Sequence, residues 1–185
     1  MRVLALADKP PPVDPATLAR QKHVDAVFCL GDLDRAWIES LMELSIPRYG
    51  VHGNHDPEGA LLDLEIEDLH LRRTQLCGTT VAGFEGCVAY QRGAVHQYSQ
   101  KEARKLARKL PAADILLCHC PPFGINDDPE DRAHVGFEGL RDWLDEHQPR
   151  HVLHGHTHPV AGQALKRYGD TQVHWVYGAK VIDLR

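Results

Sequence analysis

Short apolar runs that stop at polar residues mark the first third of the chain. Residues 2–8 read Arg-Val-Leu-Ala-Leu-Ala-Asp, apolar on consecutive positions and closed by a carboxylate. Residues 15–22 read as a helix. Residues 25–32 contain Ala26-Val27-Phe28-Cys29-Leu30 and end in Gly31-Asp32. The segment 36–44 places Trp37, Leu41 and Leu44 at helical spacing, and 47–52 runs into Gly53-Asn54-His55-Asp56. Short buried strands alternating with helices predict βαβ units and an α/β fold. In such sheets, polar residues just past strand C-terminal ends are the expected site positions.

Residues 69–90 are rich in Thr, Val and Gly and predict short strands. A helix is expected over 100–110, with Ala103, Leu106, Ala107 and Leu110 on one face. A strand is expected over 115–119, and a second helix over 137–147 with Phe137, Leu140 and Leu144 aligned. Val152 and Leu153 lead into His154-Gly155-His156-Thr157-His158, and 163–184 alternates enough for two or three closing strands. No repeat, low-complexity tract or linker interrupts the pattern, so residues 1–185 read as a single domain. The Pro10-Pro11-Pro12 run makes a stiff loop, because proline fixes φ.

Composition changes this picture little. Hydrophobic residues are 43% and charged residues 25%, as in an ordinary globular domain. A net charge of -5 argues against broad binding to nucleic acid or acidic membranes. No stretch is long enough to span a bilayer, and the opening apolar run is too short for a secretory signal, so the cytoplasm is the expected setting. Five cysteines without a CxxC pair suit a reducing compartment. Lys101, Arg104, Lys105, Arg108 and Lys109 on the helix at 100–110 suggest a solvated face before a nucleic-acid patch.

Histidine placement carries more. Of 13 histidines, five fall between His147 and His158. Five polar clusters each follow an expected strand: Asp8, Gly31-Asp32, Gly53-Asn54-His55-Asp56, His119 before Pro121-Pro122, and Gly155-His156-Thr157-His158. Asp32 can offer two oxygens, Asn54 a neutral carbonyl oxygen, and the histidines imidazole nitrogens. Two cations held about 3.5–4 Å apart by such groups can clamp the attacking and leaving oxygens of a phosphate ester. In an extended stretch His156 and His158 project to the same side. Cys118 and Cys120 flank His119 and would face the other way. His52, His151 and His154 read as packing residues.

In order and wording these clusters resemble the calcineurin-like metallophosphoesterase superfamily, whose blocks run DxH, GDxxD, GNH[DE], a lone His and GHxH. The resemblance runs from Asp8 to His158. It implies a four-layer αββα sandwich with two mixed central sheets. It also implies two divalent metals, one taking Asp8, Asp32 and His158, the other Asp32, Asn54, His119 and His156. The oxygen and nitrogen donors suit Mn²⁺ first, with Fe or Zn²⁺ also suited. The resemblance further implies hydrolysis of a phosphate ester, a phosphodiester above all, by metal-activated hydroxide. His55 would protonate the leaving group, Asp34 in the first place or else Asp56 would orient that histidine, and Arg35 would contact phosphate.

Two departures qualify that carry-over. The second block is Gly31-Asp32-Leu33-Asp34, one residue tighter than GDxxD. In the first block Asp8-Lys9-Pro10 stands where DxH is expected, and proline offers no side-chain ligand. Water, Asp14 or His23 could fill the gap, or that metal could be weakly held. A nuclease acting on DNA or RNA and a non-catalytic binding scaffold on the same fold stay open beside the phosphodiesterase.

Overall fold

The computed structural model describes residues 1–160 and 162–185. Strands β1 (Arg2–Ala7), β2 (Ala26–Cys29), β3 (Arg48–Gly50) and β4 (Glu67–Asp68) lie parallel in that order. The last strand, β13 (Gly178–Asp183), returns to pair antiparallel with β1 and completes a five-stranded mixed sheet. The second sheet has six strands in the order β11 (Arg167–Tyr168), β12 (Thr171–Trp175), β10 (His151–His154), β9 (Ile115–Cys118), β6 (Thr79–Phe84) and β5 (Arg73–Leu76). Its central strands β12, β10, β9 and β6 are parallel, while β5 and β11 pair antiparallel at the two edges. A short parallel pair, β7 (Cys87–Val88) and β8 (Gln97–Tyr98), stands apart from both sheets.

Side-chain alternation explains the layering. Along β1, Val3, Ala5 and Ala7 point into a core shared with Val81, Ile115, Leu117 and Leu153 of the second sheet. Leu4 and Leu6 point the other way, against Ala16 and Ala19 of helix α1 (Pro15–Lys22) and against Ile38 and Leu41. Along β9, Ile115 and Leu117 face the shared core. Leu116 and Cys118 instead face helices α4 (Gln100–Ala107) and α5 (Glu138–His147), through Ala103, Leu140 and Trp143. Each central strand is therefore covered on both faces, which is why the strands read as unbroken apolar runs. The result is helices, sheet, sheet, helices: the expected four-layer sandwich.

Most expected elements appear within a residue or two. The exception is 36–44, which is a single α turn, α2 (Arg35–Ile38), followed by a 3₁₀ turn at Glu39–Glu43. Ile38 leaves the helical region at φ -132°, and the Arg48 guanidinium takes the carbonyls of Leu41 and Leu44 at 3.1 and 2.6 Å. That donor replaces the helical bonds the segment lacks. A one-turn helix α3 (Ala60–Asp63) also lies where no helix is expected.

Candidate metal centre

The parallel strands of both sheets end at one edge of the sandwich, and the polar clusters collect there. Asp8 follows β1 directly, Asp32 lies beyond β2, Asn54 beyond β3, His119 directly after β9, and His156 beyond β10. Three of these hold left-handed backbone: Asp8 at φ 61°, Asp32 at φ 54° and His156 at φ 64°. For side-chain-bearing residues that conformation costs on the order of 1–3 kcal/mol each, and it concentrates where function demands a particular orientation. Each turns the chain sharply, so that its side chain doubles back over the sheet edge.

The turns interlock. Asp56 is buried and accepts from the backbone N–H of Asp32 (2.9 Å), Leu33 (3.1 Å) and Gly53 (2.7 Å), tying the two glycine turns into one unit. Asp32 Oδ1 accepts from His55 N–H at 2.8 Å, and Asp8 Oδ2 from His156 N–H at 2.9 Å. A methyl group at Gly53 would overlap the Asp32 carboxylate, and at Gly155 it would stand 2.6 Å from Asp8 Oδ2. Only glycine allows that approach.

Donor atoms converge from several directions. His119 is fully buried, and its Nδ1 donates to the Leu30 carbonyl at 2.7 Å. That bond turns Nε2 toward the cluster, 3.1 Å from Asn54 Oδ1 and 3.4 Å from Asp32 Oδ2, where it can bind a cation once it gives up its proton. Tyr90 accepts from Asn54 Nδ2 at 3.2 Å, which turns the amide oxygen inward. Donor atoms of Asp8, Asp32 and His119 all lie within 4.8 Å of one another. Ligands of one divalent cation, each bound at about 2.0–2.2 Å, stand at separations of this order. The set is hard oxygen plus imidazole with no thiolate, so the residues fit a divalent cation by chemistry as well as by spacing. Fixing the outer nitrogen of a histidine on a carbonyl is also how metal-binding imidazoles are usually held.

Charge in the cluster follows from burial and pairing. Burial pushes the Asp8 carboxyl up to about 6, although His119 opposes this. Burial also works against charge on Asp32, yet His119 holds it down at about 2. His119 itself is raised to about 9 despite its burial, because Asp32 and then Asp8 favour the imidazolium. Without a cation, then, a proton on His119 balances the carboxylates.

His156 packs against His119 with ring centres 4.8 Å apart, and its Nε2 reaches the Ala133 carbonyl at 2.7 Å, which leaves Nδ1 available. His158 stands further out, 5.0 Å from the Tyr177 ring and 5.5 Å from that of His134. The turn at His156 breaks the extended geometry that would have aimed both histidines alike. His55 and Arg35 are exposed and line a cleft of about 580 Å³ with Asp8, Asp32, Asp34, Trp37, Pro57 and Leu64. Arg35 makes no ion pair among the described residues. Asp34 lies on the same wall and caps α2, accepting from Ala36 N–H at 2.9 Å.

Other histidines have structural partners. His154 takes Asn126 and the Gly155 carbonyl, and burial pushes it down to about 4. His151 pairs with His174 and the Arg185 carbonyl. His52 and His96 stack at 4.5 Å and share Glu85, which also accepts from Tyr98. Stacked rings cannot aim in-plane lone pairs at one ion, so this cluster braces the chain just ahead of Gly53. Cys118 and Cys120 lie in the outer core, opposite His119, as alternation predicts. Neither Glu85 nor His134 belongs to a motif; each meets its neighbours only through the fold.

Comparison with known proteins bears on the family and the fold. Residues 1–176 match the profile of the calcineurin-like phosphoesterase superfamily domain. UDP-2,3-diacylglucosamine hydrolase of Salmonella typhi is 22% identical over 198 residues, covering 85% of this chain and 78% of that protein; the Salmonella arizonae protein of that name matches equally. Among solved structures, TT1561 of Thermus thermophilus superposes with a TM-score of 0.62 at 17% identity, over 100% of this chain and 99% of that one. GAP50, the anchor in the inner membrane complex of Plasmodium, superposes with a TM-score of 0.55 at 12% identity, over 95% of this chain and 70% of that one. With the profile spanning nearly the whole sequence and the fold and strand-end cluster both in place, the chain belongs to the calcineurin-like phosphoesterase superfamily.

Proposed function

We propose that the chain is a phosphodiesterase that works with two divalent cations, Mn²⁺ foremost, in the cytoplasm. The observation that carries this reading is the convergence of His119 Nε2 on Asn54 Oδ1 and Asp32 Oδ2, with Asp8 in the same group. Asp8, Asp32 and His158 would hold one cation, and Asp32, Asn54, His119 and His156 the other. Bound there, the cations would supply Lewis acidity toward phosphate oxygens and an activated water.

The chain's own groups do the rest. Arg35 has no ion-pair partner among the described residues and presents on the cleft wall a planar fork suited to phosphate oxygens. His55 is anchored by its backbone N–H to Asp32 and lines the same cleft, which supports its imidazole as the proton donor to the leaving oxygen. Asp34 holds the start of α2 and so sets where Arg35 emerges. The Salmonella relatives are named for hydrolysis of a UDP-linked substrate, in which phosphate is internal; this supports a diester-type substrate over a terminal monoester.

The test uses chelator-stripped protein restored with Mn²⁺ and offered bis-p-nitrophenyl phosphate beside the monoester. Faster turnover of the diester supports the reading; faster monoester turnover makes the protein a phosphatase. His55→Ala should lower turnover roughly 100-fold on alkyl esters and far less on p-nitrophenyl esters, whose leaving group needs no proton. An equal loss on both would remove His55 as the donor. Pro10 favours the scaffold alternative, which predicts no turnover with any cation.

A further inference from the structure

Pro10 removes one ligand from the cation assigned to Asp8, Asp32 and His158, and both side chains the sequence offers in its place serve as caps at the two ends of α1. His23 caps the C-terminal end of α1, just ahead of β2, whereas the ligands follow strand C-terminal ends. The length of β2 alone puts about 13 Å between them. Asp14 is the N-cap of α1, where its carboxylate accepts from Thr17 N–H at 2.7 Å.

A different imidazole lies beside the histidines of the last motif. The His134 ring lies 5.3 Å from that of His156 and 5.5 Å from that of His158, so it bridges the two histidines of the last motif. Its Nδ1 donates to Asp131 Oδ2 at 2.6 Å, which fixes the ring and leaves Nε2 with the lone pair. A carboxylate behind the outer nitrogen is the usual support for a metal-binding histidine. The segment is docked rather than loose. The Ala133 carbonyl accepts from His156 Nε2 at 2.7 Å, and Asp131 Oδ1 accepts from Ala133 N–H at 2.9 Å.

We infer that His134 is a metal ligand of this centre, supplying from the loop before α5 the imidazole that Pro10 withholds. The inference rests on the two-cation reading above. It makes the 127–134 loop, rather than the Asp8 turn, the source of the final ligand, and it makes Asp131 a positioning residue for that ligand.

Titration of chelator-stripped protein with Mn²⁺, followed by calorimetry and by bound metal after gel filtration, tests this without any activity assay. Compared with the unaltered chain, His134→Gln should lose one bound cation or hold it at least about 10-fold more weakly. Pro10→His in the His134→Gln background should restore it. An isotherm unchanged by His134→Gln would overturn the inference while leaving the two-cation centre intact. No uptake by the unaltered chain would overturn both. As a check that needs no variant, saturating Mn²⁺ should protect His134 from carbethoxylation, read by mass spectrometry; equal labelling with and without the cation also counts against it.

Discussion

At the scale of single residues, the site is a balance of protons and close approach. His119 is raised to about 9 and Asp8 to about 6, so an entering cation must displace a proton from His119 near neutral pH, and from Asp8 as well below about pH 6. Cation affinity should therefore rise with pH, by about tenfold per unit between pH 6 and 9 as His119 alone is released. Below about pH 6 the slope should steepen, because Asp8 binds a second proton. Calorimetry in buffers of different ionisation enthalpy measures both the slope and the proton count; a pH-independent affinity would contradict this pairing. Gly155→Ala tests the close approach, since the new methyl would stand 2.6 Å from Asp8 Oδ2. Mn²⁺ binding should weaken by an order of magnitude or more, with the fold retained by circular dichroism. The candidate ligand positions are legible in the sequence because each falls at or within a few residues of a strand end. The Asp56 clamp, the Glu85 brace and His134 are not, because each depends on at least one partner from a distant segment: Asp32 for Asp56, His52 for Glu85 and His156 for His134.

At the scale of elements, local signals suffice where capping and periodicity agree. Helix α4 opens with a capping box in which Ser99 and Glu102 each satisfy the other's backbone N–H. Ser99→Ala should cost about 1 kcal/mol in denaturant unfolding and leave cation binding unchanged. The segment 36–44 misleads because Trp37, Leu41 and Leu44 have α-helical spacing, while the carbonyls of Leu41 and Leu44 are taken by Arg48 from outside the segment. The basic face of α4 is partly neutralised, since Arg104 reaches Glu138 at 2.9 Å and Asp142 at 3.3 Å. A nuclease guided by this helix would bind single-stranded DNA with a steep salt dependence. The pairing predicts no such binding at physiological salt.

For the whole molecule, two sheets share a core that no single segment reveals. The layer assignment comes from resemblance at the sequence level and from alternation in the structure, where Leu117 faces Val3 and Phe28 across the shared core. No helix among the described residues is long and apolar enough to cross a membrane. Leu117→Ala should destabilise the fold by roughly 2–5 kcal/mol, lowering the urea midpoint. The architecture brings the strand ends of both sheets to one edge, so a cation held there joins the two halves of the sandwich. That claim is tested most directly by turnover of a phosphodiester in chelator-stripped protein as Mn²⁺ is restored, beside Asp32→Asn. The account predicts saturable recovery of activity in the unaltered chain and a loss of roughly 100-fold or more in the variant. Turnover that ignores the cation, or that survives Asp32→Asn, would contradict it.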